Sequence, residues 1–388
     1  MKSILLTSTA LVAFAGAAMA DAHEDSTPNG VTWNADGEFG YNEEVEGGFY
    51  FEGGMGVTTH AGMNSGLTAG FRMDVDLGFG TTGNSTQTLI GEGRGTFAEI
   101  SVGGSDFVLF VEGQGAGLYM GDTETAAVKQ WSGPTNMGQD SFVEVDDVND
   151  GPENGDFVDG VLRGDMTYGP VSASASYLMT NDGGTELDGL DGLSLGGVGT
   201  FGNFTVITAY QQEVTEAIVG NSAIDEKIAV SVGTTFSGAN LKLGYASNQT
   251  TSEDSIGMQV GYTVGPVTGA VFYSVESAYD DNYGVALDYA GGPVSVHAHF
   301  HDGTDQEVAL EGSYDAGMGI MAYAGYIQND GDSDATEAYV AATYDLGGGA
   351  ALLASYGDVG DTYAGANDEV GGKFEVNEGT TVAVTFKF

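Results

Sequence analysis

Residues Ser255–Glu276 read SIGMQVGYTVGPVTGAVFYSVE. Ile256, Met258, Val260, Tyr262 and Val264 hold one parity, and Ser255, Gly257, Gln259, Gly261 and Thr263 hold the other. Gly265-Pro266 makes a tight turn, after which Val267, Val271, Tyr273 and Val275 resume the apolar parity. Successive side chains of a strand point to opposite faces, so this stretch is a two-faced hairpin. The unit repeats from about Val161 to Tyr356, with turns at Gly169-Pro170, Phe201-Gly202-Asn203, Ser237-Gly238, Gly265-Pro266, Gly291-Gly292-Pro293, Asp315–Gly317 and Leu346–Gly349. Such ribbons in series, with no helices between them, stack as a sandwich or close as a barrel.

Composition narrows the choice. The 388 residues carry 9 basic and 56 acidic side chains, a formal net charge of -47. Nucleic acid is excluded as a partner, because phosphate binding needs clustered Lys and Arg. Docking on anionic head groups through a basic patch is disfavoured for the same reason. There is no cysteine, hence no disulfide framework. Lys2, the apolar run Ile4 to Ala18 and the small-residue site Ala18-Met19-Ala20 make residues 1–20 a secretory signal peptide, leaving 21–388 as the folded unit. No later run approaches the apolar length of a spanning helix. Export of an acidic, Gly-rich, all-β chain points to an outer-membrane barrel.

Val31–Tyr41, Gly48–His60, Gly66–Phe79, about Thr86–Val102 and Asp106–Glu112 read as the first strands, the last two separated by a turn at Gly103-Gly104-Ser105. Residues 114–160 then hold no sustained alternation, contain Pro134 and Pro152, and carry a dense acidic run. Structureless stretches of this length inside a compact unit are usually functional or disordered. Beyond them, short turns alternate with longer acidic connections such as Gln212–Ala223, Asn329–Asp334 and Asp358–Asp368. That two-sidedness describes a membrane barrel. Counting segments gives 18–20 strands, with Glu369–Val376 fitting the count poorly. Tyr168, Phe204, Phe236, Tyr262, Tyr289, Tyr314 and Tyr344 stand beside the short turns, where an interfacial girdle belongs. Arg72, Arg163, Lys227 and Lys242 all fall on the polar parity, the reverse of a soluble barrel with a dry interior.

Thr380–Phe388 alternates Val382, Val384, Phe386 and Phe388 against Thr381, Ala383, Thr385 and Lys387. It resembles the terminal strand of bacterial outer-membrane proteins, whose last aromatic residue is read by the barrel-assembly machinery. Ala342-Thr343-Tyr344-Asp345-Leu346-Gly347-Gly348-Gly349-Ala350, Val384-Thr385-Phe386-Lys387-Phe388 and Asn64-Ser65-Gly66-Leu67-Thr68-Ala69-Gly70-Phe71 are similar to pieces of Rhodobacter-type general porins. The resemblance implies a homotrimer of 16-stranded barrels among outer-membrane lipids and lipopolysaccharide. Each barrel would hold a water-filled channel for small hydrophilic solutes and ions, with a long external loop folded into the pore. The Pro-Glu-Phe-Gly-Gly loop motif of enteric porins is absent.

If residues 114–160 fold inward, Asp122, Glu124, Asp140, Glu144, Asp146, Asp147 and Asp150 make an acidic constriction that favours cations. Arg72, Arg94 and Arg163 would face it across the pore. Asp147, Asn149, Asp150 and Glu153, and likewise Asp330, Asp332, Asp334 and Glu337, have the oxygen density that a structural calcium ion takes. His297, His299 and His301 share one strand face. Alternate residues stand about 7 Å apart, so two can share a zinc ion but three on one flat strand cannot. Their simpler reading is a polar lumen lining. Gly197-Val198-Gly199-Thr200-Phe201-Gly202 matches a dinucleotide fingerprint but lies across a strand–turn–strand with no helix after it, so that reading fails. No nucleophile with a plausible partner stands out, so no catalytic residue is assigned. The expected protein is a passive, cation-preferring outer-membrane channel. The alternatives are a substrate-specific channel, which needs an aromatic slide along the lumen, and a secreted acidic calcium-binding surface protein, which needs a Gly-Gly-x-Gly-x-Asp repeat that is absent.

Overall fold

The computed structural model describes residues 29–45, 48–63, 65–79, 100–142, 160–180, 189–214, 224–303, 306–329, 336–359 and 369–388. Among them one antiparallel sheet of twenty strands closes on itself. It begins with β1 (Gly30–Asn42), β2 (Phe49–Gly62), β3 (Thr68–Phe79), β4 (Ile100–Gly113), β5 (Ala116–Gly121) and β6 (Gly160–Tyr168). β7 (Val171–Thr180), β8 (Gly189–Phe201), β9 (Phe204–Gln211), β10 (Lys227–Phe236) and β11 (Ala239–Asn248) follow. Next come β12 (Glu253–Val264), β13 (Val267–Glu276), β14 (Asn282–Gly291), β15 (Val294–Asp302) and β16 (Glu307–Gly317). β17 (Ile320–Asn329), β18 (Thr336–Gly347) and β19 (Ala350–Val359) lead to a separate two-stranded pair, β20 (Glu369–Val370) and β21 (Val376–Asn377). The closing strand β22 (Gly379–Lys387) pairs with both β19 and β1. Phe388 sits at this seam, where it and Ala35 exchange both backbone hydrogen bonds, at 2.7 and 3.2 Å.

Twenty strands match the upper end of the segment count and exceed the sixteen that the resemblance implies. Two sequence expectations near the N-terminus change. Gly103-Gly104-Ser105 is no turn; Ser105 pairs with Val75 and Val102 with Leu77, so Gly103 and Gly104 form a bulge inside the single strand β4. The stretch read as loop from residue 114 contains β5, a wall strand of six residues, too short for its alternation to stand out among glycines. At the C-terminal end, the segment that fitted the count poorly is the β20–β21 pair, which lies outside the wall ladder.

The tight turns follow from backbone chemistry. Gly169, Gly265 and Gly292 have φ near +58° and precede Pro170, Pro266 and Pro293, the Gly-first pattern of a hairpin turn that matches strand twist. The two last tight turns fall at Met318-Gly319 and Gly348-Gly349, beyond register shifts at Asp315/Gly317 and Asp345/Gly347. All nine short links lie at one end of the barrel, where β1 also begins and β22 ends, as twenty antiparallel strands require.

Polarity is inverted throughout. Ile256, Met258, Tyr262, Val271 and Val275 are exposed, while Ser255 and Ser274 on the opposite parity are fully buried. The predicted girdle residues Tyr168, Phe204, Phe236, Tyr262, Tyr289, Tyr314 and Tyr344 are all exposed on the outer surface. A second belt stands at the loop end, where Tyr245, Tyr273 and Tyr283 donate to Asp254, Asp281 and Asp302. A band of exposed apolar side chains between two aromatic belts fits hydrocarbon and not water. No helix among the described residues is long and apolar enough to cross a membrane; the strands do the crossing.

Candidate pore lining

The inward parity is a continuous row through the ladder, and from Asp122 to Phe142 the chain folds against it. The short helix α1 (Ala126–Gln130) donates the Ala126 N–H to Ser176 Oγ and the Ala127 N–H to Ser194 Oγ, both at 2.8 Å. Gln130 Nε2 donates to Ser174 Oγ at 2.8 Å. Further along, Ser231 and Lys242 donate to the carbonyls of Ser132 and Gly133, and Lys227 to that of Ser141. Glu276 accepts from the Gly138 N–H at 3.0 Å and from the hydroxyls of Ser255 and Ser274. Asn282 donates to the Asn136 carbonyl at 3.2 Å. The segment is thus bonded to inner faces from β7 to β14.

The wall beneath it is made of small residues for a steric reason. A Cβ at Gly196 would lie 2.2 Å from the Ala126 carbonyl oxygen, and one at Gly257 would lie 2.7 Å from Met137 Cγ. Ala209, Ala229 and Ala246 fill the floor, on which Ala127, Met137 and Phe142 bury themselves with Val128 and Trp131 packed alongside. Ser, Gly and Ala on the lumen parity are therefore a groove, a signal that reading those positions merely as polar overlooks.

The sequence-predicted site residues divide. Glu124 reaches the lumen with an exposed side chain, and Asp122 follows β5 with its N–H on the Phe107 carbonyl. Asp140 is turned into the segment itself, accepting the Trp131 Nε1–H at 3.0 Å. Arg72 is exposed on the lumen parity of β3, beyond the stretch of wall that the segment covers. Arg163 does not face the segment across the opening. It is buried at the root, bonded to the Glu124 carbonyl and paired with Asp165 at 3.1 Å, with its guanidinium over Tyr119. Loop anchoring explains its position, since a buried cation needs a close carboxylate. Arg94, Glu144, Asp146, Asp147, Asn149, Asp150 and Glu153 lie outside the described residues, as do Asp330, Asp332 and Asp334, so both expected calcium groups fall largely there.

Burial raises the Asp140 carboxyl above its usual range, with the Trp131 N–H acting in the opposite direction. A raised value in the docked state means that docking is strongest in acid, below the range of a free carboxyl, and weakens as pH rises through the Asp140 titration. Asp140→Asn keeps an acceptor for Trp131 and is expected to abolish that dependence. Trp131 emission followed across acid to neutral pH in a Trp33→Phe background checks it; an unchanged pH profile in Asp140→Asn would remove Asp140 from the docking equilibrium.

A second insertion was not foreseen. Residues 369–378 turn inward, and the Glu311 carboxylate accepts the N–H groups of Gly372 and Lys373, each at 3.0 Å, and the Tyr339 hydroxyl at 2.8 Å. Phe374 stacks on Tyr323 with centroids 3.7 Å apart. Val370 and Val376 are buried with Tyr50, Tyr339 and Leu353. Two segments of the chain are thus bonded to inner faces of the wall.

A closed barrel with an apolar exterior and inward-folded segments is a channel wall, and a family model described as Gram-negative porin matches residues 7–364. The chain belongs to the Gram-negative porin family. Its place is the outer membrane, and porins are channels, not enzymes. No curated protein sequence matches this porin. A mutant of Rh. blastica porin is 13% identical, covering 92% of this chain and 100% of that one, with a TM-score of 0.45. A triple mutant of Rhodopseudomonas blastica porin is 15% identical over the same shares, with a TM-score of 0.39.

Proposed function

We propose that this porin passes small hydrophilic solutes and cations passively through a lumen narrowed by residues 122–142 together with the acidic stretch that follows. The bonding of 122–142 to the inner wall from β7 to β14 carries this reading. Cation preference rests on charge. Arg163 and Lys129 share Asp165, and Lys227 and Lys242 are bonded to segment carbonyls. Glu124 and Glu112 are exposed, and Asp36 and Asp74 share the lumen face of the opposite wall. With 56 acidic against 9 basic side chains, the excess of fixed negative charge raises the local concentration of cations.

Planar-bilayer recording of the detergent-purified porin under a salt gradient is expected to give stepwise conductance with a cation-selective reversal potential. Absence of steps would overturn the channel reading, and an anion-selective potential the acidic-constriction reading alone. Replacing Asp146 and Asp147 by lysine is expected to move the reversal potential toward anions; an unmoved potential would place both outside the pore.

The same reading extends to biogenesis and assembly. Residues 1–20 are a signal peptide, so the intact mass of the exported protein is expected to begin at Asp21. Phe388 is read by the barrel-assembly machinery, and its deletion is expected to lower the folded, heat-modifiable fraction. The porin assembles as a homotrimer among outer-membrane lipids and lipopolysaccharide, which native mass spectrometry tests.

A further inference from the structure

His297, His299 and His301 on β15 occupy a stretch of lumen wall between the two inward segments. The last wall contact of the first is Asn282 on β14, and the second is anchored on Glu311 of β16. The three imidazoles form a ladder, with ring centroids 5.2 Å apart from His297 to His299 and 6.0 Å from His299 to His301, the latter pair stacked within 9°. Strand spacing alone denies three such histidines a common ion. The register supplies what the strand cannot: Glu307 on β16 lies directly opposite His301. One ligand atom each of His299, His301 and Glu307 lie within 4.8 Å of one another.

The hydrogen bonds along the ladder show where a positive centre is required. His297 Nδ1 meets Asp288 Oδ1 at 2.7 Å, His297 Nε2 meets His299 Nδ1 at 3.0 Å, and His299 Nε2 meets Glu307 Oε1. Carboxylates only accept, so the first contact needs the proton on His297 Nδ1, which leaves His297 Nε2 as an acceptor. The second then needs the proton on His299 Nδ1. The third contact sets the His299 Nε2 lone pair against the Glu307 carboxylate, so a positive centre must join them, either a third proton on the ladder or a metal ion. Only a metal ion also draws on the ring of His301 beside them, and it leaves the first two bonds intact.

We propose that His299 Nε2, His301 and Glu307 bind one divalent transition-metal ion of the zinc, nickel or copper class on the lumen wall. Two imidazole nitrogens and one carboxylate oxygen suit that class, whereas calcium and magnesium take oxygen ligands. Metal bonds of about 2.1 Å set tetrahedral ligand atoms about 3.4 Å apart, so side-chain rotations draw His301 in and part His299 Nε2 from Glu307 Oε1 to admit the ion. His299, His301 and Glu307 are half-buried, which leaves water for the remaining coordination positions. His297 and Asp288 are positioning residues: the carboxylate fixes the His297 tautomer, and His297 fixes that of His299, the outer-shell arrangement that tunes metal-bound histidine. Neighbouring carboxylates are otherwise engaged. Glu311 accepts from Tyr339, Gly372 and Lys373, and Asp302 from Tyr283.

The test is binding, independent of conductance. Full-length porin in detergent, stripped with chelator, is titrated with ZnCl2 by calorimetry in excess MgCl2, which occupies the acidic loops. One zinc per chain is expected to bind despite the magnesium. His299→Asn, His301→Asn and Glu307→Gln are each expected to weaken it at least tenfold, and His297→Asn by about 10- to 100-fold through the outer shell. Cobalt(II) is expected to give visible absorption that His301→Asn alters. Heat-modifiable gel migration confirms that each variant folds. Zinc binding that magnesium abolishes, or that survives His299→Asn and His301→Asn unchanged, overturns the site.

Discussion

Replacing Gly196 and Gly257 together by valine is expected to drive residues 122–142 from the wall and to raise single-channel conductance. The Cβ at Gly196 would collide with a backbone carbonyl of α1, the oxygen of Ala126, at 2.2 Å. A backbone atom cannot rotate away as a side-chain tip can. At Gly257 the added atom would meet Met137 Cγ at 2.7 Å and Pro134 Cβ at 3.0 Å. Overpacking of this kind costs about 1–3 kcal/mol per site, and the two collisions fall at opposite ends of the docked segment. The barrel has an alternative that a soluble core lacks: once the segment lifts, both valines face water-filled lumen and the wall ladder is unchanged. Gly233→Val and Gly261→Val supply the controls, because a Cβ there finds no atom closer than 3.8 Å. Larger conductance steps and a red shift of Trp131 emission, absent in the controls, are the expected result. Unchanged conductance and emission in Gly196→Val/Gly257→Val would mean that the segment does not narrow the channel.

What the chain discloses about itself depends on how far apart the partners are. The wall was legible because its rule is local: alternation of period two and a turn every ten residues or so are written in adjacent letters, as in Ser255–Glu276. Strand number was legible by counting, and counting outperformed the implied sixteen. β5 was not, since six residues containing Gly117 and Gly121 carry too little alternation to register. The inward segment announced itself as a break in rhythm, but the residues that receive it did not. Ser176, Ser194, Gly196 and Gly257 look like ordinary polar-parity positions until a backbone is laid against them. Arg163 was misplaced for the same reason: its lumen parity was correct, but its partners, Asp165 and the Glu124 carbonyl, become visible only when the loop root is folded. The histidines were noticed on their own strand, while the carboxylate that completes them is fixed by the pairing of β15 with β16.

The second inward segment was hidden most thoroughly, because its anchor is 61 residues from what it holds. That separation makes Glu311→Ala the other change of large expected effect. Its carboxylate is buried at 4% exposure and accepts two backbone N–H groups and a tyrosine hydroxyl. Alanine leaves the Gly372 and Lys373 N–H groups and the Tyr339 hydroxyl without an acceptor, at about 1–3 kcal/mol for each buried donor left unmade. Against this the segment keeps the Phe374–Tyr323 stack, the Gly371 N–H bond to Glu337 at 3.0 Å and the buried Val370 and Val376. The valines hold β20 and β21, so the loosening is expected at the turn around Gly372 and Lys373, where the lost acceptor is the main tie. Trypsin reads this directly, because Lys373 offers a cleavage site whose backbone N–H is held only while docked. Fast cleavage after Lys373 in Glu311→Ala, slow cleavage in the unaltered porin and an intermediate rate in Glu311→Gln, which retains one acceptor oxygen, are the expected order. Equal rates in all three would show that Glu311 does not hold the segment. A rise in conductance accompanying the fast cleavage would make the lumen a passage gripped from two sides, by Glu276 under the first insertion and by Glu311 under the second. In both cases a carboxylate in the wall, with no Lys or Arg ion pair among the described residues, binds the backbone of a loop, and the two sets of variants test whether that grip sets the width of the channel.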